Sequence, residues 1–255
     1  MTGQGFQDAP PAEGPVSPQE TQPSVAKPRY QLIDALRGLA IILMVGYHTG
    51  FLLIDYMGAS PSLIDNPLLN LLQPIFGGLF ILLSGMSCAF SRSNVRRGLK
   101  TWAAAILVSV AAGLFGYPVY FGILHFLGTA MLLYGLLQKP LRAWRGWTQP
   151  LVALALFVVT AVYIPIRVDF TNWLMPFGLV QDWGEDYWPL LPWFFLFLFG
   201  TWLGRLAVEQ KFPRWFYRFK MPVLPTVGRY TLWIYLAHMP IVLGVIEVLK
   251  FFGVG

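Results

Sequence analysis

Seven apolar runs, joined by short loops, constrain this chain more than any other feature. They fall at about 33–54, 68–90, 99–116, 119–137, 150–166, 188–207 and 227–248. Crossing the hydrocarbon core takes ~20 mostly apolar residues. In lipid each backbone N–H and C=O must find its partner inside the protein, so runs of this length become helices. The sequence therefore predicts an all-α integral membrane protein, a bundle of about seven transmembrane helices. Composition agrees: 56% of residues are hydrophobic and 12% charged, against the ~25% charge of a soluble domain. The net charge of +6 comes from basic residues that flank the runs and form no separate basic domain, so nucleic acid is not an expected partner. A single cysteine, Cys88, excludes a disulfide framework and a cysteine-based metal site.

Residues 1–28 are of different material. They hold six prolines and few large apolar residues, the composition of a disordered tail. They lack the charged and apolar regions of a signal peptide, which leaves targeting to the first span. The chain is thus expected to divide into a Pro-rich cytoplasmic tail, 1–28, and a transmembrane domain, 29–252. No internal repeat is apparent.

Loop charge orients the bundle. One side collects Arg29, Arg92, Arg96, Arg97, Lys100, Lys139, Arg142, Arg145, Lys211, Arg214, Arg218 and Lys220. The other holds Asp55, Asp65, Asp169, Asp182, Glu185 and Asp186, with Arg167 and Lys250 as its clear cations. Lysine and arginine bias marks the cytoplasmic face. The N-terminus is therefore expected in the cytoplasm and the C-terminus outside, in a multi-pass protein of the cell (inner or plasma) membrane.

Orientation turns position into depth. All three histidines, His48, His125 and His238, lie inside apolar runs, where an ionisable side chain is expensive and points to function. His48 and His125 each sit about six residues, or ~9 Å, below the outer end of their run. His238 lies deeper, about ten residues (~15 Å) below the outer end of the last. At the opposite end stand Arg37, Arg205 and Arg229, with Asp34 placed to pair with Arg37 at i,i+3. Eleven residues of helix bring His48 back to within ~20° of Arg37's face, ~16 Å along the axis. One stripe of the first span thus carries a cation at the inner end and a titratable group toward the outer end.

Blander readings stand beside these. Each arginine can anchor a helix end by snorkelling, and a buried histidine can serve as a hydrogen-bonding link between helices. Gly200 and Gly204 form a GxxxG pair suited to close packing. Ser84, Ser87 and Cys88 read as small packing residues. Trp173, Trp183 and Trp188, in an acidic loop, can stack a sugar or belong to an interfacial aromatic belt.

The stretch Arg29-x4-Asp34-x2-Arg37-Gly38 followed by His48 resembles the heparan-alpha-glucosaminide N-acetyltransferase-like family of transmembrane acyltransferases. So do FILLSGMSCAFSRSNVRRGLK (80–100), YFGILHFLGTAMLLYGLL (120–137), EDYWPLLPWFFLFLFGTWLGR (185–205) and VGRYTLWIYLAHMPIVLG (227–244). The Arg37-to-His48 spacing also looks like that of integral-membrane carbohydrate O-acyltransferases. With fewer spans than the better-known members, the chain reads as a short form.

The resemblance implies acyl transfer from cytoplasmic acyl-CoA, most often acetyl-CoA, to an amino or hydroxyl group of an extracytoplasmic sugar or glycan. Acetyl-CoA is then a co-substrate, with no bound cofactor and no metal. By position His48 is the catalytic imidazole, with His125 orienting it or carrying a second proton, and Asp34 and His238 in support. Arg37 faces the CoA end, and Arg205 and Arg229 pair with phosphates, which suit guanidinium forks. The expected partners are acyl-CoA, the acceptor and the bilayer, with a homo-oligomer left open. Two other functions fit membrane histidines: a proton-coupled transporter and a non-catalytic scaffold.

Overall fold

The computed structural model describes residues 30–114, 116, 119–144, 146–167, 176–177 and 186–253. The tail 1–28, Arg29, Trp173 and Trp183 lie outside the described residues. Among those described there is no strand. The helices are α1 (Gln31–Met57), α2 (Pro67–Cys88), α3 (Asn94–Leu114), α4 (Ile123–Ala143), α5 (Thr148–Arg167), α6 (Leu190–Val208), α7 (Arg214–Arg218), α8 (Leu224–Arg229) and α9 (Thr231–Phe251).

Local chemistry sets several boundaries. α1 ends at Gly58, whose φ of 66° lets its N–H reach back to the Ile54 carbonyl. α2 starts on Asn66, whose side chain accepts from the Leu69 N–H at 3.0 Å, with Pro67 at the first helical position. α3 begins five residues before the apolar run does. Ser93 accepts the Arg96 N–H at 3.2 Å, so a basic first turn that reads as loop is wound into the helix. The last apolar run, in turn, is broken at Tyr230 into α8 and α9.

α1, α2, α3, α6 and α9 are long and apolar enough to cross a membrane. The expectation of seven spans also rests on α4 and α5. α4 covers the expected run from Ile123 onward and carries His125, Gln138, Lys139 and Arg142, and α5 is helical over the whole of its expected run.

Helices pair where glycine lets backbones meet. A Cβ on Gly85 would overlap the Phe197 carbonyl, one on Gly200 the Leu82 carbonyl, and one on Gly204 the Met86 carbonyl. The Gly200/Gly204 pair is therefore the seam between α6 and α2, as small residues serve between helices in lipid. Ile81, Phe126, Tyr134 and Phe197 fill the core around it.

A second glycine seam joins α1 to α8. A Cβ on Gly38 would overlap the Leu224 carbonyl, and one on Gly228 the Asp34 carbonyl. From here α1 and α9 rise in the same direction and in step. Gly38 of α1 meets Gly228 of α8 at one level, and ten residues further along the chain from each, His48 meets His238 of α9, their ring centroids 5.2 Å apart. At the far end the Lys250 ammonium lies 4.9 Å from the Tyr56 ring centroid.

Forcing bulk into the α2–α6 seam costs about 1–3 kcal/mol or more, the usual penalty of overpacking. Gly200→Val is therefore expected to lower the thermal unfolding midpoint of the detergent-solubilised protein. A matching substitution at Gly244, which has open space around it, should leave the midpoint nearly unchanged.

Candidate active site

The α1–α9 register brings His48 and His238 together, and each imidazole uses one nitrogen on its neighbouring backbone. His48 Nδ1 lies 3.0 Å from the Met44 carbonyl, and His238 Nδ1 lies 2.6 Å from the Tyr235 carbonyl. A carbonyl can only accept, so in each neutral ring Nδ1 carries the proton and Nε2 holds the lone pair. His238 Nε2 is buried with no hydrogen-bond partner among the described residues. The pair thus presents two Nε2 lone pairs in a largely apolar setting.

Asp186 completes the cluster. It lies in the connection ahead of α6 and accepts from the Tyr235 hydroxyl at 2.9 Å. The Ile123 N–H and the Trp188 side chain also donate to it, and His48 is close enough for its charge to act on the carboxyl. Burial pushes this carboxyl above the usual carboxylate range, while His48 and the three donors draw it back. Two glycines make room for the arrangement. A Cβ on Gly122 would overlap the Asp186 carboxylate, and one on Gly77 would overlap the Trp188 indole. The segment is pinned from behind by Trp188 N–H donating to the Phe121 carbonyl at 3.1 Å and by Trp188 stacking obliquely on Trp193.

His48, Asp186 and Tyr235 face a cavity of about 660 Å³ between α1 and α2. Gln73, Tyr47 and Thr49 add polar groups, and Ile41, Met44, Leu72 and Phe80 supply much of its apolar wall. This is the size and character of a small-molecule site. Among the described residues no group of histidines, cysteines and acids is arranged to hold a metal ion.

The other residues singled out in the sequence lie elsewhere. His125, on α4, does not line the cavity. It packs edge-on to Trp102, stacks near Phe121, and its Nε2 lies 3.3 Å from Ser109 Oγ. That hydroxyl donates to the Val119 carbonyl at 2.6 Å, so the unit ties α4 to α3 and to the segment before α4. Arg37 pairs with Asp34 at 3.4 Å and donates to Ser87 Oγ at 2.9 Å. Arg97 donates to the Ser87 carbonyl at 3.1 Å, so two guanidinium groups converge on the C-terminal end of α2, where the helix dipole favours cations. Arg205 instead donates to Gln149 and to the Leu141 carbonyl at the end of α4. Arg229 bonds back onto its own helix, to Pro225 and Thr226.

Sequence reasoning missed Asp186 and Tyr235 as members of the site. Asp186 counted only toward outer-side charge. Tyr235 carried a usable signal: a hydroxyl one turn before His238 in an otherwise apolar helix. Arg97 was read as a loop cation, because its helix begins earlier than the apolar pattern does.

A bundle of apolar helices enclosing a His–Asp–Tyr cluster on a cavity marks a membrane protein with a site for chemistry or binding. Residues 29–240 match the family of the heparan-alpha-glucosaminide N-acetyltransferase catalytic domain, and the chain belongs to that family. It is thus a multi-pass membrane protein of an acetyltransferase family. No curated protein and no solved structure matches it.

Removing the Asp186 acceptor strands several buried donors. Asp186→Ala is expected to destabilise the protein by about 1–3 kcal/mol, the cost of unsatisfied buried groups. Asp186→Asn, which keeps an acceptor oxygen, should recover part of that loss. Thermal unfolding of the two variants side by side is the measurement.

Proposed function

We propose that this protein transfers an acetyl group from acetyl-CoA to a sugar hydroxyl or amine, with His48 as the general base. The observation that carries the reading is the His48 imidazole, its Nδ1 anchored on Met44, set beside Asp186 on the wall of a substrate-sized cavity. In the proposed reaction the acceptor oxygen or nitrogen attacks the thioester carbonyl carbon as His48 Nε2 takes its proton. The new C–O or C–N bond forms, the C–S bond breaks, and the proton passes from the imidazolium to the departing CoA thiolate. Asp186 acts as a positioning residue: its carboxylate stabilises the imidazolium, and Tyr235 holds the carboxylate in place.

The remaining assignments follow the charge distribution. The N-terminus of α1 lies on the cytoplasmic side, and the CoA phosphates rest at the end of the bundle where Arg37 and Arg97 converge. Ala40, on the cavity wall, is three residues along α1 from Arg37. Arg205 and Arg229, already bonded to helix ends, secure the bundle at that side. His125 maintains the α3–α4 pairing, and His238 packs against the catalytic imidazole. The acceptor reaches His48 from the outer half of the membrane.

The test uses purified protein in proteoliposomes with labelled acetyl-CoA and glucosamine. A positioned general base contributes about 10²–10⁴-fold, so His48→Gln should lower kcat by that order. Asp186→Asn should lower kcat more than it changes KM. His125→Gln should affect stability before turnover. Wild-type rates in His48→Gln would remove the assignment.

A further inference from the structure

The cavity has an open flank, and the flank lies within the membrane-crossing part of α1. Ile42, Leu43 and Gly46 line the cavity and are also exposed on the surface of α1. With Leu39 they form an i, i+3, i+4, i+7 strip, the pattern of a helix face turned outward. Across the opening, the exposed face of α2 carries Leu68, Leu71 and Ile75, while Leu69, Leu72, Gln73 and Phe76 on its adjacent face line the cavity. At Gly46 a side chain would meet nothing within 4 Å. Ile42, Leu43 and Gly46 are eleven residues or more from either end of α1, which at ~1.5 Å per residue puts the window ~16 Å inside the helix.

An opening at that depth faces hydrocarbon, so whatever passes it must itself be apolar. The polar part of the lining is different: His48, Asp186 and Tyr235 cluster together, and Tyr47 and Gln73 add further polar groups to the wall. The site therefore suits an amphiphile, with a polar head at His48 and a hydrocarbon tail leaving sideways between α1 and α2. The lining also selects the head. None of the described lining residues is a lysine or arginine, so the cavity offers no counter-charge to a phosphate. Its carboxylate, amide and hydroxyl groups match a neutral or amino sugar.

We propose that the acceptor is a lipid-anchored sugar that enters laterally through the window at Ile42, Leu43 and Gly46. The proposal deepens the acyltransferase reading and rests on it for the role of the bound sugar. The tail remains in the bilayer while the sugar reaches His48, and the donor approaches from the end of the bundle that carries Arg37 and Arg97.

The test is photolabelling of the full chain in nanodiscs with glucosyl-diacylglycerol bearing a diazirine in one acyl chain. Label should concentrate on α1 residues 42–46 and α2 residues 69–76, and excess unlabelled glucosyl-diacylglycerol should displace it. Excess phosphatidylcholine should not. Gly46→Phe fills the open space and should lower this labelling at least tenfold, whereas Val158→Phe, on the exposed face of α5, should leave it unchanged. Three results would overturn the proposal: equal labelling of α5, displacement by phosphatidylcholine, or full labelling of Gly46→Phe. A diazirine-tailed long-chain acyl-CoA supplies the competing source. If it labels the window and the glycolipid does not, the tail belongs to the donor and the proposal fails. If glycolipid labelling follows the expected pattern while wild-type protein transfers no acetyl group to any sugar, the lipid site stands and the acyltransferase reading falls.

Discussion

The close approach of α1 and α8 is the constraint on which the site depends. Where Gly38 meets Leu224 and Gly228 meets Asp34, side chains would force the helices apart. Without that seam α9 would not rise in step with α1, and His238 would not face His48. The same seam explains the residue order Asp34, Arg37, Gly38. The aspartate pairs with the arginine one turn later, and the glycine beside the arginine admits the neighbouring backbone. A charged pair and a packing contact thus occupy a single turn. In lipid, where apolar side chains gain little by leaving their surroundings, such close backbone packing carries much of the helix association.

From that register the electrostatics of the centre follow. A carboxylate is tolerable in an apolar bundle only when its oxygens are satisfied. Asp186 meets the condition with donors from three separate elements: Tyr235 on α9, Ile123 at the start of α4, and its near neighbour Trp188. The carboxylate therefore links the segment before α6 to α4 and α9. The glycines at 77 and 122 are the steric side of the same solution, since each leaves space that Trp188 or Asp186 occupies.

Much of this was legible in the sequence, and the reasons are physical. Apolar run length located the helices, because backbone satisfaction in lipid leaves few alternatives. The Gly200/Gly204 spacing marked a real seam. Depth arithmetic, however, reads height along a helix and not the direction a side chain faces. It set His125 level with His48, yet His125 bonds to Ser109 beside Trp102, whereas the deeper His238 packs against His48. The arginines were similarly grouped by end of bundle, although each hydrogen-bonds to a different partner. Asp186 could not be singled out because the partners that draw it into the site, Tyr235 and Ile123, are distant in sequence: Tyr235 is 49 residues away. Side-chain azimuth and long-range pairing are tertiary facts, and no one-dimensional pattern carries them here.

The division of charge along the bundle has a consequence for any two-substrate reaction at His48. Guanidinium groups gather at the Ser87 end, held by the α2 terminus and by Asp34. The described cavity lining, which begins one turn above Arg37, contains no cation. A phosphate moved up toward His48 would lose its counter-charges and gain a buried carboxylate as neighbour, both unfavourable in a medium of low dielectric. A neutral thioester or sugar pays no such penalty. In the proposed reaction this division sorts the substrates by charge along a single helix, with the anionic groups of the donor at the Arg37 end and the uncharged reacting groups at His48. The eleven-residue step from Arg37 to His48 sets the distance, ~16 Å, that the proposed donor must span.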